Sequence, residues 1–335
     1  MSGSTSGGGR ARWLVRAHGA PADVLQLGHG DVPPADSESI VVAVEACALN
    51  FADDLLCRGG YQEKPPFPFS PGLEFAGVVV DAEHGTRHAV GSRVAGSALL
   101  PHGALAERCR ARNDDVYPLP DAVSSVDAAA MHITYQTCWF ALNRRARLQP
   151  HDTFLVHAGA GGIGSAAIQL GKAAGAYVVA TAGGAEKTAL CRELGADVAV
   201  DHRVDDFVAV VNDLTDGRGA DVVLDPVGGE TFERSRHCIA WEGRILVVGA
   251  ASGRYFEAPT NHVMVKNYSI VGVHWGGYLT RNPELVRGAH DDLMRLFRQG
   301  TFKPMVSRVV PFGEARAALI ELAAGRTVGK LVVRV

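Results

Sequence analysis

Between Asp152 and Trp275, six short and almost entirely apolar runs alternate with stretches that suit helices. No other feature of the chain limits its fold as strongly. The runs read TFLVHA, AYVVAT, DVAVD, ADVVLD, GRILVVGA and YSIVGVHW, and the helical stretches among them are 164–174, 185–194, 205–215 and 230–240. A strand that is apolar on both faces needs cover on both, which a parallel sheet wrapped by helices supplies. The prediction is a doubly wound α/β domain of the kind that binds nucleotides.

The turn after the first run is Gly159-Ala160-Gly161-Gly162-Ile163-Gly164, and it opens the helical stretch SAAIQLGKAAGA. In a G-x-G-x-x-G between strand and helix, the first glycine permits the tight turn, the second lets backbone approach a pyrophosphate, and the third allows helix and strand to pack closely. The helix start then offers unpaired N–H groups and partial positive charge to an anion. A dinucleotide is the ligand this pattern predicts. A carboxylate that would hold both ribose hydroxyls is missing at the end of the second run, which reads Ala180-Thr181-Ala182-Gly183-Gly184. Lys187 follows, and His202-Arg203 come after the third run, so the cations favour a 2′-phosphate and hence NADP(H) over NAD(H). Glu186 is the one contrary sign, and it is expected to point to solvent.

Residues 13–120 have a different texture, with β-rich runs (SIVVAVEACAL, GLEFAGVVVDAE, GSRVAGSALL, GALAERCRA) broken by turn residues. They predict an antiparallel sandwich or barrel-like unit. The length of 335 residues already favours two domains. Residues 284–299 have a helical period, and the tail MVSRVVPF…GKLVVRV returns to β character with a helix at 313–324 between. The predicted division is a segment 1–11 without order, a β-rich domain of 12–134 with 290–335, and a nucleotide-binding domain of 135–289. With 33 Lys plus Arg against 36 Asp plus Glu and no basic run, a nucleic-acid partner is not expected. No stretch approaches 18 apolar residues, and the six cysteines are widely spaced, so a reduced cytoplasmic protein without a membrane span is expected.

ALNFADDLLCRGGY (48–61), PGLEFAGVV (71–79), TYQTCWFAL (134–142), HAGAGGIGSAAIQLGKAAGA (157–176), ELGAD (193–197), LDPVGG (224–229), ILVVGAASG (245–253) and GKLVV (329–333) together resemble the medium-chain dehydrogenase/reductase superfamily. Within it, the chain is similar to the zinc-independent NADPH:quinone oxidoreductase (zeta-crystallin-like) and enoyl reductase group. The resemblance covers about residues 12–335 and implies a Rossmann sheet plus a GroES-like β-rich domain, with substrate between them. Where zinc alcohol dehydrogenases carry their catalytic ligands, this sequence has Asn50, Leu73 and Ile133, and no lobe of four close cysteines is present. Leu and Ile cannot ligate a metal.

Without a Lewis acid the remaining chemistry is hydride delivery to an acceptor that is already electron-poor, a quinone or an α,β-unsaturated carbonyl compound. The end of the second run, with Thr181, is expected to lie along the cofactor; the resemblance implies that Asn50 and Asp53 line the nicotinamide pocket, that Thr137, Val248, Gly249 and Val273 lie along the cofactor, and that Trp275 and Tyr278 wall the acceptor site. The two aromatics equally suit packing. Enoyl thioester reductases of the group use a Tyr eleven residues after the Asn as proton donor, and Tyr61 stands there. Packing within its Gly-Gly-Tyr turn is the alternative role. The last strand resembles the edge through which such enzymes form homodimers. Enoyl-thioester reduction, and a non-catalytic NADPH-binding structural or sensing role, are the competing functions.

Overall fold

The computed structural model describes residues 9–335. Of the segment expected to lack order, residues 1–8 lie outside the described residues, but Ala11 already opens a strand, so order begins before residue 12. The chain divides into two compact units, one running to Ile133 and resuming at Val306–Val335, the other Thr134–Met305.

In chain order the first unit supplies β1 (Ala11–Val15), β2 (Leu25–His29), β3 (Ser39–Ala48), β4 (Glu74–Asp81), β5 (Arg93–Ser97), β6 (Arg108–Arg112) and β7 (Val116–Pro118). The second supplies β8 (Thr153–Val156), β9 (Tyr177–Ala182), β10 (Val198–Asp201), β11 (Ala220–Asp225), β12 (Ile239–Val247) and β13 (Ser269–Gly272). The tail returns to the first unit with β14 (Val306–Pro311) and β15 (Lys330–Arg334).

The seven-stranded sheet of the first unit runs β14-β15-β3-β4-β5-β7, with β6 also paired to β3. Its pairings are antiparallel except β14 with β15. Parallel neighbours need a crossover, and the helix Ala315–Ala323 provides it. Strand β3 carries the unit: its end pairs with β15 while β4 runs along its other side, so Ala48, Glu74 and the start of β15 meet at one corner. The core beneath comprises Val42, Leu56, Phe69, Phe75, Leu105 and Val333 among others, all buried. Burial of each large side chain contributes about 1.5–3 kcal/mol.

The second unit is the predicted parallel sheet, in the order β10-β9-β8-β11-β12-β13, with every pairing parallel. The chain order reverses between β8 and β11, where doubly wound sheets leave a crevice at the carboxyl ends of their strands. Several helix bounds differ from expectation, and 205–215 is helical over Phe207–Leu214. The stretch 230–240 is helical only over Glu230–Ser235, because the chain must turn before β12 begins at Ile239. The first helix starts at Gly162 rather than 164.

The domain boundary near the C-terminus is also corrected. Residues 290–305, expected with the β-rich domain, belong to the second unit. The helix Pro283–Arg298 is continuous and buries Val286, Ala289, Leu293 and Met294 along one face, so a boundary at 290 would cut through its apolar stripe. Beyond it Phe302 stacks on Tyr135 at 4.2 Å, and the Tyr135 hydroxyl donates to the Lys303 carbonyl at 3.1 Å.

Candidate active site

The glycine loop after β8 is built as its chemistry requires. Ala158 takes the left-handed conformation (φ 51°), and Gly159 N–H donates to the Thr181 carbonyl at 2.8 Å, tying the turn to β9. A Cβ on Gly164 would lie 2.2 Å from the Ala158 oxygen, and one on Gly159 would lie 2.8 Å from Cys191 Sγ, so both positions are closed to larger residues. Gly161 differs, since its Cβ would meet only the Ala158 oxygen, at 3.3 Å. It precedes the helix Gly162–Ala173 as an extended N-cap without a side-chain cap. The first N–H groups of that helix, through Gly162, Ile163 and Gly164, therefore have no intrahelical partner and suit an anion. Cys138 Sγ donates to the Ile163 carbonyl at 3.4 Å and steadies the loop.

The second anion locus lies at the ends of β9 and β10. A Cβ on Gly183 would meet Arg203 Nε at 2.9 Å and His202 Nε2 at 3.2 Å, and one on Gly184 would meet Arg203 Nη1 at 3.3 Å, so Arg203 lies over both glycines and His202 over the first. Lys187 stands in the first turn of the following helix, Ala185–Glu193. Asp201, which the sequence reading did not single out, is also here. Its Oδ1 accepts from Gly184 N–H at 2.9 Å and Arg203 N–H at 3.1 Å, and these backbone bonds hold its carboxyl below the ordinary range. The carboxylate shapes the loop while remaining an ionised neighbour of the cations.

Val248, Gly249 and Val273 follow β12 and β13 at the same carboxyl edge, where Val248 N–H donates to the Asp225 carbonyl and Val273 N–H to Val247, each at 3.0 Å. Thr137 is buried in the helix Ser125–Trp139. Three assigned residues have contacts to neighbours within the unit. Thr181 is buried and its hydroxyl meets His157 Nδ1 at 3.0 Å, so its carbonyl rather than its side chain serves the loop. Trp275 is buried with its Nε1 donating to Gln136 at 3.3 Å, and the Tyr278 ring lies 4.3 Å from Phe140.

In the first unit, Asn50 precedes the helix Phe51–Arg58 and Asp53 sits in its first turn, fully buried. Asp53 Oδ2 accepts from Asn50 N–H and Oδ1 from Gly72 N–H, each at 2.8 Å. Burial nonetheless pushes its pKa up to about 6, against the opposing effect of these bonds and of Lys330. Tyr61 follows two glycines after the helix, packed against the core, and burial raises its phenol to about 12, with smaller contributions from Glu63 and Asp53.

Two further residues were missed, as Asp201 was. Glu74 and Lys330 form a buried ion pair at 2.7 Å that also engages Asn50. The available signal was a lone charge at the head of each apolar run, EFAGVVV and KLVV. The pair also bears on a metal. Of the three positions where zinc enzymes carry ligands, Leu73 and Ile133 have no donor side chain, and the Asn50 oxygen is taken by an ammonium group that would repel a dication. Among the described residues no group of three or more His, Cys, Asp or Glu could hold a metal ion. No helix among them is long and apolar enough to cross a membrane.

Residues 36–121 match the family model for the alcohol dehydrogenase GroES-like domain, and residues 162–291 match that for zinc-binding dehydrogenase. The chain is 36% identical over 299 residues to the quinone oxidoreductase-like protein 2 homolog of Nematostella vectensis, covering 89% of this chain and 82% of that one. Its fold is similar to Escherichia coli quinone oxidoreductase complexed with NADPH, with a TM-score of 0.90 and 29% identity over 97% of this chain and 100% of the other. It is also similar to the CurK enoyl reductase, with a TM-score of 0.85 and 26% identity, covering 97% and 99% of the two chains.

Proposed function

This chain belongs to the medium-chain dehydrogenase/reductase superfamily, and on that premise we propose that it is an NADP(H)-dependent, zinc-independent oxidoreductase that reduces a quinone or an α,β-unsaturated carbonyl compound. The observation that carries the reading is the Lys330 ammonium bonded to Asn50, with Leu73 and Ile133 beside it, a donor set unsuited to zinc. Likeness to relatives named as quinone oxidoreductases supports the acceptor class.

The glycine loop and the bare helix start fit a pyrophosphate, and the cations over Gly183 and Gly184 fit a 2′-phosphate. Bound NADPH would supply hydride, which aqueous side chains cannot. Each charge-assisted hydrogen bond to the 2′-phosphate contributes about 1.5–3 kcal/mol. Arg203→Ala is therefore expected to weaken NADPH binding at least tenfold while leaving NADH nearly unchanged, as measured by fluorescence titration. Equal weakening of both removes the assignment.

When hydride reaches the β-carbon of an enone, an electron pair moves toward the carbonyl oxygen, and one proton must follow. Asn50 is ill suited to give it, since both its amide hydrogens are bonded to Glu74 and the Ala48 carbonyl. The Tyr61 phenol carries a proton at neutral pH and is the alternative donor, although burial makes it a weaker acid than a free phenol. This favours a second reading, enoyl-thioester reduction, to which the likeness to an enoyl reductase adds support. The deciding experiment follows NADPH oxidation with quinones, enones and enoyl-CoA esters, for wild type and Tyr61→Phe. Wild type is expected to turn over at least one class without added metal. The variant is expected to lose about 10²-fold with enones or thioesters and far less with quinones. Turnover of simple alcohols that chelators abolish would refute the metal-free reading.

A homodimer is part of the proposal. Strand β13 leaves one edge of the six-stranded sheet unpaired, and Ile270 on it is exposed, as are Met264 and Val265 of the preceding helix. The strand carries no Lys or Pro that would guard such an edge. Light scattering is expected to give twice 35.4 kDa for wild type and a monomer for Ile270→Lys; a monomeric wild type removes this part. Six unpaired, buried cysteines support a reducing, cytoplasmic setting.

A further inference from the structure

We propose that Lys330 and Glu74 are positioning residues whose buried ion pair fixes the Asn50 side chain and the start of the helix Phe51–Arg58 for the reaction; the inference rests on the reading above. Lys330 Nζ has three hydrogens, and all are used: on the Leu49 carbonyl at 2.8 Å, on Asn50 Oδ1 at 2.7 Å and on Glu74 Oε1 at 2.7 Å. Glu74 Oε1 also accepts from Asn50 Nδ2 at 2.8 Å, and its Oε2 accepts from Ile133 N–H at 2.6 Å. The second Asn50 amide hydrogen goes to the Ala48 carbonyl at 3.3 Å. An ammonium group only donates, so the atom facing it is the amide oxygen, and the Asn50 amide has one orientation.

The pair joins the end of β3, the head of β4, the head of β15 and the helix through Ile133 at a single point. Asp53 then clamps the next turn to Gly72. The Lys330 and Glu74 side chains are 5% and 0% exposed. Removing two charges from water is costly, and apolar residues of the same volume would hold such a corner as well. What apolar residues would not do is orient an amide. The pair is therefore assigned to specifying the geometry of Asn50 rather than to stability alone.

The test uses Lys330→Met and the double variant Glu74→Gln/Lys330→Met. The single variant leaves Glu74 buried without its counter-charge and has a folding risk; the double variant removes both charges together and keeps the volume. In both, kcat with the acceptor found for wild type is expected to fall about 10²-fold, as for a misplacement near 1 Å, while NADPH affinity stays within about twofold. The side-chain amide signals of selectively ¹⁵N-labelled Asn50 are expected to be dispersed in wild type and to collapse toward free-amide values in the variants. A double variant that folds with wild-type kcat and unchanged Asn50 signals overturns the proposal. Absence of turnover in wild type overturns the functional reading instead, and the amide signals then decide the positioning role by themselves.

Discussion

On lowering the pH from 7 to 5, the unit Thr134–Met305 is expected to lose about 4 kcal/mol of stability while the β-rich unit gains. The loss comes from two histidines: His157, 1% exposed at the end of β8, whose pKa burial pushes down to about 3 with smaller effects of His202 and Arg234, and His290, whose pKa burial pushes down to about 4 with a smaller effect of Arg287. The Ser235 hydroxyl donates to the Thr231 carbonyl at 2.7 Å, which leaves its oxygen to accept from His157 Nε2–H at 2.8 Å. Thr181 then donates to Nδ1, and the neutral ring is fully satisfied. The unfolded chain takes up a proton near pH 6.5 and the folded ring does not, so stability falls as the pH drops below that value, by about 2 kcal/mol at pH 5 and about 4 kcal/mol by pH 3 for His157. Asp53 acts in the opposite sense. Its folded pKa of about 6 exceeds the unfolded value of 3.8, so the folded unit binds the extra proton between the two and is stabilised on acidification, by about 1.5 kcal/mol at pH 5. Hydrogen exchange at pH 7 and 5, corrected for intrinsic rates, reads the units separately, which a single melting curve does not. His157→Gln is expected to remove about half of the response of its own unit and none of the other's. Parallel responses of the two units would show that these buried groups do not dominate acid stability.

Gly164→Ala is expected to cost about 1–3 kcal/mol and about 10²-fold in NADPH affinity, a large effect for one methyl group. The new carbon would lie 2.2 Å from the Ala158 oxygen and 2.6 Å from Gly159 Cα, and both are backbone atoms of the turn, so the turn itself must move. Gly161→Ala is the comparison. Its φ of −84° suits any residue and its only close neighbour is at 3.3 Å, so stability is expected to hold while NADPH binding weakens, because the methyl enters the space left for the pyrophosphate. Thermal unfolding and NADPH titration separate the two. If Gly164→Ala binds and melts like wild type, the close packing of this helix on its strand is not what shapes the site.

The six runs of the parallel sheet were legible because each is apolar on both faces, a requirement that local sequence expresses without help from distant residues. The glycine loop was legible for the same reason, since its steric needs lie within a few residues. Thr181 was read as a site residue from its place at the end of a strand, and Trp275 and Tyr278 from the resemblance; their side chains meet His157, Gln136 and Phe140. Position along a strand end predicts which backbone faces the crevice; rotamer and neighbours decide where the side chain goes. The boundary at Met305 was hidden because the stripe of the helix Pro283–Arg298 announces burial without naming what it is buried against.

By itself the sequence determined the α/β sheet, its strand order as a doubly wound type, the phosphate turn and the absence of metal-binding side chains at Leu73 and Ile133. Each of these is a property of short segments or of side-chain chemistry. Only the tertiary structure decided that Lys330 reaches Asn50 across 280 residues and Glu74 across 256, and that Asp201 accepts from Gly184 N–H across 17. Those facts depend on which strands become neighbours, and a charge at the head of an apolar strand gains its meaning only when the fold brings it a partner.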